Sequence, residues 1–118
     1  MSTVYLDGTF VPRDEARISV LDRGFIFGDG VYEVIPAYGG APFRLEQHLA
    51  RLAASLAAIE IPPPLAHEAW RDVIATVLTR NGGGDQSVYI QVTRGVAERD
   101  HAPPAGLRPT VLVMSKPM

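Results

Sequence analysis

Leu45-Glu46-Gln47-His48-Leu49-Ala50-Arg51-Leu52-Ala53-Ala54-Ser55-Leu56-Ala57-Ala58-Ile59 is the stretch on which the fold turns. Leu45, Leu49, Leu52, Leu56 and Ile59 recur at steps of four and three, which places them on one apolar stripe of an α-helix. Pro62-Pro63-Pro64 must end that helix, because proline supplies no backbone N–H and its ring clashes with the preceding turn. A second helix is predicted from Leu65 to Arg80, with Trp70, Val73, Ile74, Val77 and Leu78 inward and Asn81-Gly82-Gly83-Gly84 as its C-terminal stop. The two are expected to form an antiparallel pair.

On either side of the helices the period drops to two. Val4-Tyr5-Leu6 and Thr9-Phe10-Val11 flank Asp7-Gly8, the dipeptide that type I′ hairpins favour. Val31-Tyr32-Glu33-Val34-Ile35 reads as a strand through alternation and β-branching, and Gly39-Gly40 turns the chain back through Ala41-Pro42-Phe43-Arg44. Ser87 to Thr93 alternates Val88, Ile90 and Val92 against Tyr89 and Gln91, and Thr110 to Met114 is a last apolar strand. A polar, proline-containing loop, Arg94 to Pro109, joins these two. Asp22-Arg23-Gly24-Phe25-Ile26-Phe27-Gly28-Asp29-Gly30 is expected to be an irregular loop whose rings pack inward. Strands, two helices, then strands imply an α+β fold: an antiparallel sheet with the helix pair on one face. Residues 1–118 show no internal repeat and no linker, so a single domain is expected.

Composition removes whole classes of function. With 118 residues, 47% hydrophobic, and 11 Lys+Arg against 13 Asp+Glu, the chain has a net charge of −2 and no basic run that would track a phosphate backbone. Nucleic acid is therefore not an expected partner. The absence of cysteine excludes disulfides, thiolate zinc sites and a cysteine nucleophile. His48, His67 and His101 share no metal-ligand spacing, so no metal site is expected. No apolar stretch approaches the ~18 residues of a membrane span, and a cytoplasmic location is the expectation. Gly28-Asp29-Gly30-Val31-Tyr32-Glu33 fails the dinucleotide fingerprint, since its third glycine is Glu33 and a strand follows. No G-x-S-x-G presents a serine nucleophile, and Gly82-Gly83-Gly84 lacks the lysine of a phosphate loop.

What remains is Arg99-Asp100-His101, a guanidinium and an imidazole on a loop after a strand. A planar arginine fork matches a carboxylate, and the nearby histidine adds a donor, so the pair suits capture of a small anionic group. A solvated charged loop is the plain alternative. Tyr32 could donate to the same anion, or be a half-buried packing residue. Arg51 lies off the apolar stripe, either as a solvent-facing charge or as an anchor for a phosphate.

Taken together, these stretches resemble the fold-type IV, or class IV, aminotransferases, the pyridoxal-phosphate family that includes D-amino acid and branched-chain aminotransferases and aminodeoxychorismate lyase. The resemblance rests on the Tyr5-Leu6-Asp7-Gly8 hairpin, Asp22-Arg23-Gly24, Phe27-Gly28-Asp29-Gly30-Val31-Tyr32-Glu33, Phe43-Arg44, Glu46, His48-Leu49 and Arg51-Leu52. It continues through Tyr89-Ile90-Gln91-Val92-Thr93-Arg94-Gly95 to Arg99-x-His101. The Arg-x-His pair looks like the D-amino acid branch, with D-alanine, D-glutamate and 2-oxo acids as the implied substrates. By this resemblance Tyr32, Arg99 and His101 bind the substrate α-carboxylate, Val34 lines the side-chain pocket and Arg51 binds the pyridoxal 5'-phosphate. It also implies a homodimer in which Tyr32 comes from one subunit and the Arg-His loop from the other. The family's Schiff-base lysine lies further downstream, in a larger second domain. Lys116 follows the Arg-His loop too closely and lacks the surrounding motif, so no catalytic residue is assigned in this chain, and the chain looks like the small N-terminal domain, inactive alone. Aminodeoxychorismate lyase, a branched-chain aminotransferase and a non-catalytic dimerisation module are the competing expectations.

Overall fold

The computed structural model describes residues 2–118. Three helices, α1 (Arg23–Phe27), α2 (Leu45–Ala58) and α3 (His67–Arg80), accompany six strands: β1 (Thr3–Leu6), β2 (Thr9–Pro12), β3 (Gly30–Tyr38), β4 (Ala41–Pro42), β5 (Gln86–Thr93) and β6 (Thr110–Pro117). The strands make one antiparallel sheet in the order β2-β1-β6-β5-β3-β4. This is the expected α+β architecture. The opening hairpin turns where predicted, with Asp7 and Gly8 both at positive φ, 48° and 97°, as a type I′ turn requires.

Strand alternation sorts the sheet into two faces. On one, Ile35, Ala37, Val88, Ile90, Val92, Val111 and Val113 are buried in a core shared with Leu49, Leu52 and Leu56 of α2 and Trp70, Ile74, Val77 and Leu78 of α3. Each fully buried aliphatic or aromatic side chain there contributes about 1.5–3 kcal/mol. The opposite face carries Tyr32, Val34, Tyr89, Gln91, Leu112 and Met114, none of them buried. α2 and α3 leave that face uncovered, and α1 packs only at its end, against Thr93.

Four local features depart from the sequence reading. The segment at 22–30 is not irregular throughout: the Asp22 carboxylate accepts the Gly24 N–H at 2.8 Å and Gly28 adopts a left-handed conformation, so α1 is capped at both ends. Nor do all its rings turn inward, for Phe25 is 70% exposed. The second helix starts at His67, because Pro62-Pro63-Pro64 is followed by a further non-helical stretch in which Leu65 packs on the core. That connection runs back beside Leu56, Leu52 and Leu49, so the direct polar tie between the helices joins their first turns rather than opposite ends: Glu46 accepts from His67 at 2.9 Å and Arg71 at 2.6 Å. Finally, β6 continues to Pro117, which places Lys116 within the sheet opposite Ser87.

Candidate active site at one end of the sheet

β4 pairs only with Ala37 and Tyr38, so the first part of β3 has β5 on one side and an open edge on the other. At this edge Glu33 faces the helices with a side chain only 4% exposed. A carboxylate so placed demands partners. α2 supplies two from one face, one turn apart: His48 Nδ1 lies 2.8 Å from Glu33 Oε1, and Arg51 donates through Nε at 2.7 Å and Nη2 at 2.9 Å. Burial works to raise the Glu33 carboxyl, but the hydrogen bonds and charges of Arg51 and then His48 outweigh it and hold the group below the usual carboxylate range. Arg51 is in turn raised, chiefly by its hydrogen bond to Glu33 and by that carboxylate's charge, with Tyr32 adding to the effect. Tyr32 and Arg51 thus come within electrostatic reach around the open strand edge. One edge of the Arg51 guanidinium is committed to Glu33, while Nη1 has no hydrogen-bond partner among the described residues.

Tyr32 and Val34 share the uncovered face, as alternation predicts. Tyr32 is 65% exposed and stacks on Tyr89 with ring centroids 5.9 Å apart. Tyr89 is pushed up from its ordinary pKa by burial and then by the neighbouring Tyr32. Val34 lines a hollow of 420 Å³ together with Tyr89, Met114, Arg13 and Lys116.

The loop after β5 leaves the sheet at the same end, since Thr93 pairs with Gly30. Gly95 permits the exit: its φ is 117°, and a Cβ there would overlap the Arg108 carbonyl oxygen. Arg99 and His101 are both exposed and both lie against Phe27, the guanidinium carbon 5.8 Å and the imidazole 5.6 Å from the ring centre. Neither side chain has a hydrogen-bond or ion-pair partner among the described residues, and their ring contacts are to Phe27 rather than to Tyr32. Beneath them Asp29 accepts from Arg23 Nε and Arg94 Nε, each at 2.8 Å. Burial raises the Asp29 carboxyl, yet hydrogen bonds from Arg94 and Arg23 and their charges carry it below the ordinary value.

Comparison with known proteins identifies the scaffold. The model of the family described as amino-transferase class IV matches residues 30–118. The chain belongs to the class IV aminotransferases. Among its class IV relatives, the D-alanine aminotransferase of Staphylococcus haemolyticus is 37% identical over 117 residues, covering 98% of this chain and 42% of the relative. The D-alanine aminotransferase of Bacillus licheniformis is 39% identical over 115 residues, covering 98% of this chain and 41% of that protein. In structure, this class IV chain is similar to the branched-chain aminotransferase from Thermoproteus uzoniensis with norvaline, with a TM-score of 0.87 and 27% identity over 98% of this chain and 40% of the other. The chain therefore spans about two fifths of the length of the relatives it matches.

The structure collects Tyr32 and Arg51 at one edge and sets Arg99 with His101 on a separate platform at the same end of the sheet. Sequence reasoning missed Glu33, His48, Arg23, Asp29 and Arg94 as members of the site. Glu33 had a signal: it shares strand parity with Ile35, so an acid was bound for the core side, and His48 and Arg51 were spaced to meet it. The bond from Arg94 to Asp29 and those from Arg23 to the Asp100 and His101 carbonyls join residues far apart in the chain and had none.

Proposed function

We propose that this chain is the N-terminal substrate-gripping domain of a pyridoxal-phosphate-dependent D-amino acid transaminase, which interconverts D-amino acids such as D-alanine and D-glutamate with 2-oxo acids in the cytoplasm as a homodimer. The observation that carries the reading is the pair Arg99 and His101, two exposed donors side by side on Phe27 with no acidic partner of their own. A guanidinium offers two parallel N–H groups to a carboxylate, and the imidazole adds a third donor, so an α-carboxylate would be held in a defined orientation. The Tyr32 hydroxyl belongs to the same carboxylate site in this reading, contributed by the other subunit, and Val34 borders the space for the substrate side chain.

The residues present fit the phosphate end of the cofactor. Arg51 is fixed by Glu33 and still has Nη1 to donate, so it would hold a phosphate oxygen. Pyridoxal phosphate, when bound, supplies the electron sink that lets the substrate Cα–H bond ionise. This chain's part is to hold the phosphate through Arg51, to orient the carboxylate through Arg99, His101 and Tyr32, and to shape the side-chain pocket at Val34. It does not supply the lysine. Lys116 is level with Pro36, four residues along and two strands across from Tyr32, which puts the Cα atoms about 16 Å apart on ordinary sheet spacings. Turnover then depends on a lysine outside these residues, and the isolated chain is inactive.

A second reading, branched-chain amino acid transamination, is favoured by the structural likeness to the Thermoproteus uzoniensis enzyme. The complete protein, assayed with D-alanine and with L-leucine against 2-oxoglutarate, separates the two. Pyruvate formation from D-alanine without turnover of L-leucine is the expected result. Turnover of L-leucine alone overturns the D-amino acid assignment.

A further inference from the structure

We propose that Arg23 is the positioning residue of the anion-binding loop: it sets the backbone of Asp100 and His101 so that Arg99 and His101 are presented together. This rests on the carboxylate role proposed above for Arg99 and His101. Residues 98–109 form no helix or strand and are exposed almost throughout. Such a segment would ordinarily sample many backbone states, each costing conformational entropy to suppress. Among the described residues, the hydrogen bonds that tie it to the rest of the molecule all come from one side chain. Arg23 Nη1 donates to the Asp100 carbonyl at 2.6 Å and Nη2 to the His101 carbonyl at 3.2 Å, while the other bond in the segment, Ala102 N–H to Asp100 Oδ1, is internal to it.

The same guanidinium is held firmly from behind. Its Nε donates to Asp29 Oδ2, which also takes Arg94 Nε, and Arg94 Nη2 reaches the Ile59 carbonyl just past α2. Its carbon sits 4.6 Å from the centre of the Phe27 ring, the ring against which Arg99 and His101 also pack. Arg23 itself is 5% exposed, so it does not reach ligand. The chain of contacts runs Ile59, Arg94, Asp29, Arg23, then Asp100 and His101, and it couples a helix end to the loop through one planar group. Only arginine can do this: its fork directs three N–H bonds along three fixed directions, whereas a lysine ammonium is a point charge on a flexible stem.

The test uses the complete protein carrying Arg23→Lys, with Asp29→Asn as a second variant should the first fail to fold, and Arg99→Ala alongside. Amide hydrogen exchange is followed at residues 98–106 and at β3 and β5, and KM and kcat are measured with D-alanine. In Arg23→Lys, exchange in the loop is expected to rise about tenfold while β3 and β5 stay within about twofold, since local opening is independent of the core. KM should rise about tenfold with a smaller change in kcat, the mark of lost ground-state binding. Asp29→Asn should move both readouts in the same direction. A folded Arg23→Lys, or a folded Asp29→Asn if the first does not fold, with loop exchange and KM at wild-type values overturns the proposal. Should Arg99→Ala leave the KM for D-alanine unchanged, the carboxylate reading falls, and the loop exchange alone then decides whether Arg23 positions the segment.

Discussion

Glu33 shows how a single charge can be tolerated in a core-facing position and put to use there. Its two oxygens both accept hydrogen bonds, from His48 and from two N–H groups of Arg51, so the desolvation cost of the carboxylate is offset, and in return the arginine is held by a two-point contact. The exposed Arg51 side chain, 68% accessible, would otherwise be among the most mobile on the surface. Glu33→Gln keeps the shape but removes the charge and one acceptor. The complete protein carrying it is expected to bind pyridoxal phosphate about tenfold more weakly, near the lower end of the ~1.5–3 kcal/mol typical of hydrogen bonds to charged groups. A fluorescence titration with the cofactor reads this directly, and wild-type affinity would separate Glu33 from the phosphate site.

Among the elements, the exit from β5 is closely constrained. Gly95 accepts the Arg23 N–H through its carbonyl at 2.8 Å, follows Arg94, and turns with a φ that L-residues rarely adopt. The approach of the Arg108 backbone leaves no space for a methyl group. Gly95→Ala should therefore cost about 2–4 kcal/mol, the sum of a left-handed penalty and a backbone clash that no rotamer can relieve. Urea denaturation would show it as a lower midpoint with an unchanged slope. A midpoint at the wild-type value would mean that the loop can leave the strand by another path. α1 belongs to the same device, because its capping residue Asp22 also accepts from Thr110 Oγ1 at 2.7 Å and so joins the start of β6 to the turn before β3.

For the molecule as a whole, the two arginine-bound carboxylates Asp29 and Glu33 make stability depend on acid. Asp29 and Glu33 both have folded-state values below their unfolded ones, so their contribution is fully present above about pH 5 and is lost as pH falls through the lowered folded values. Denaturant midpoints should thus be flat from neutral pH to about pH 5 and drop steeply below about pH 4. In Glu33→Gln the acid drop should be shallower. An identical drop in wild type and variant would assign the acid sensitivity elsewhere. The uneven covering of the sheet is the other property of this scale: α2 and α3 bury one face, while Val34, Tyr89 and Met114 on the other border a hollow. No helix is long and apolar enough to cross a membrane among the described residues.

Local pattern was enough to read the α+β class, the hairpin, the two amphipathic helices and the parity that puts Tyr32 and Val34 on one face. These follow from periodicity, turn chemistry and the direction of successive side chains, all of which act over a few residues. The resemblance of the ordered motifs carried the family and named Arg51, Arg99 and His101. Tertiary structure alone decided the strand order, with β6 inserted between β1 and β5, and the short α1 where glycines and aromatics read as a loop. It also decided that Glu33 would clasp Arg51 and that Arg23 would bond Asp100 and His101, 77 and 78 positions away. Such contacts are paid for by the packing of the whole sheet, and no propensity of a single segment encodes them, because a side chain's partner across the fold is set only when the strands between have found their register.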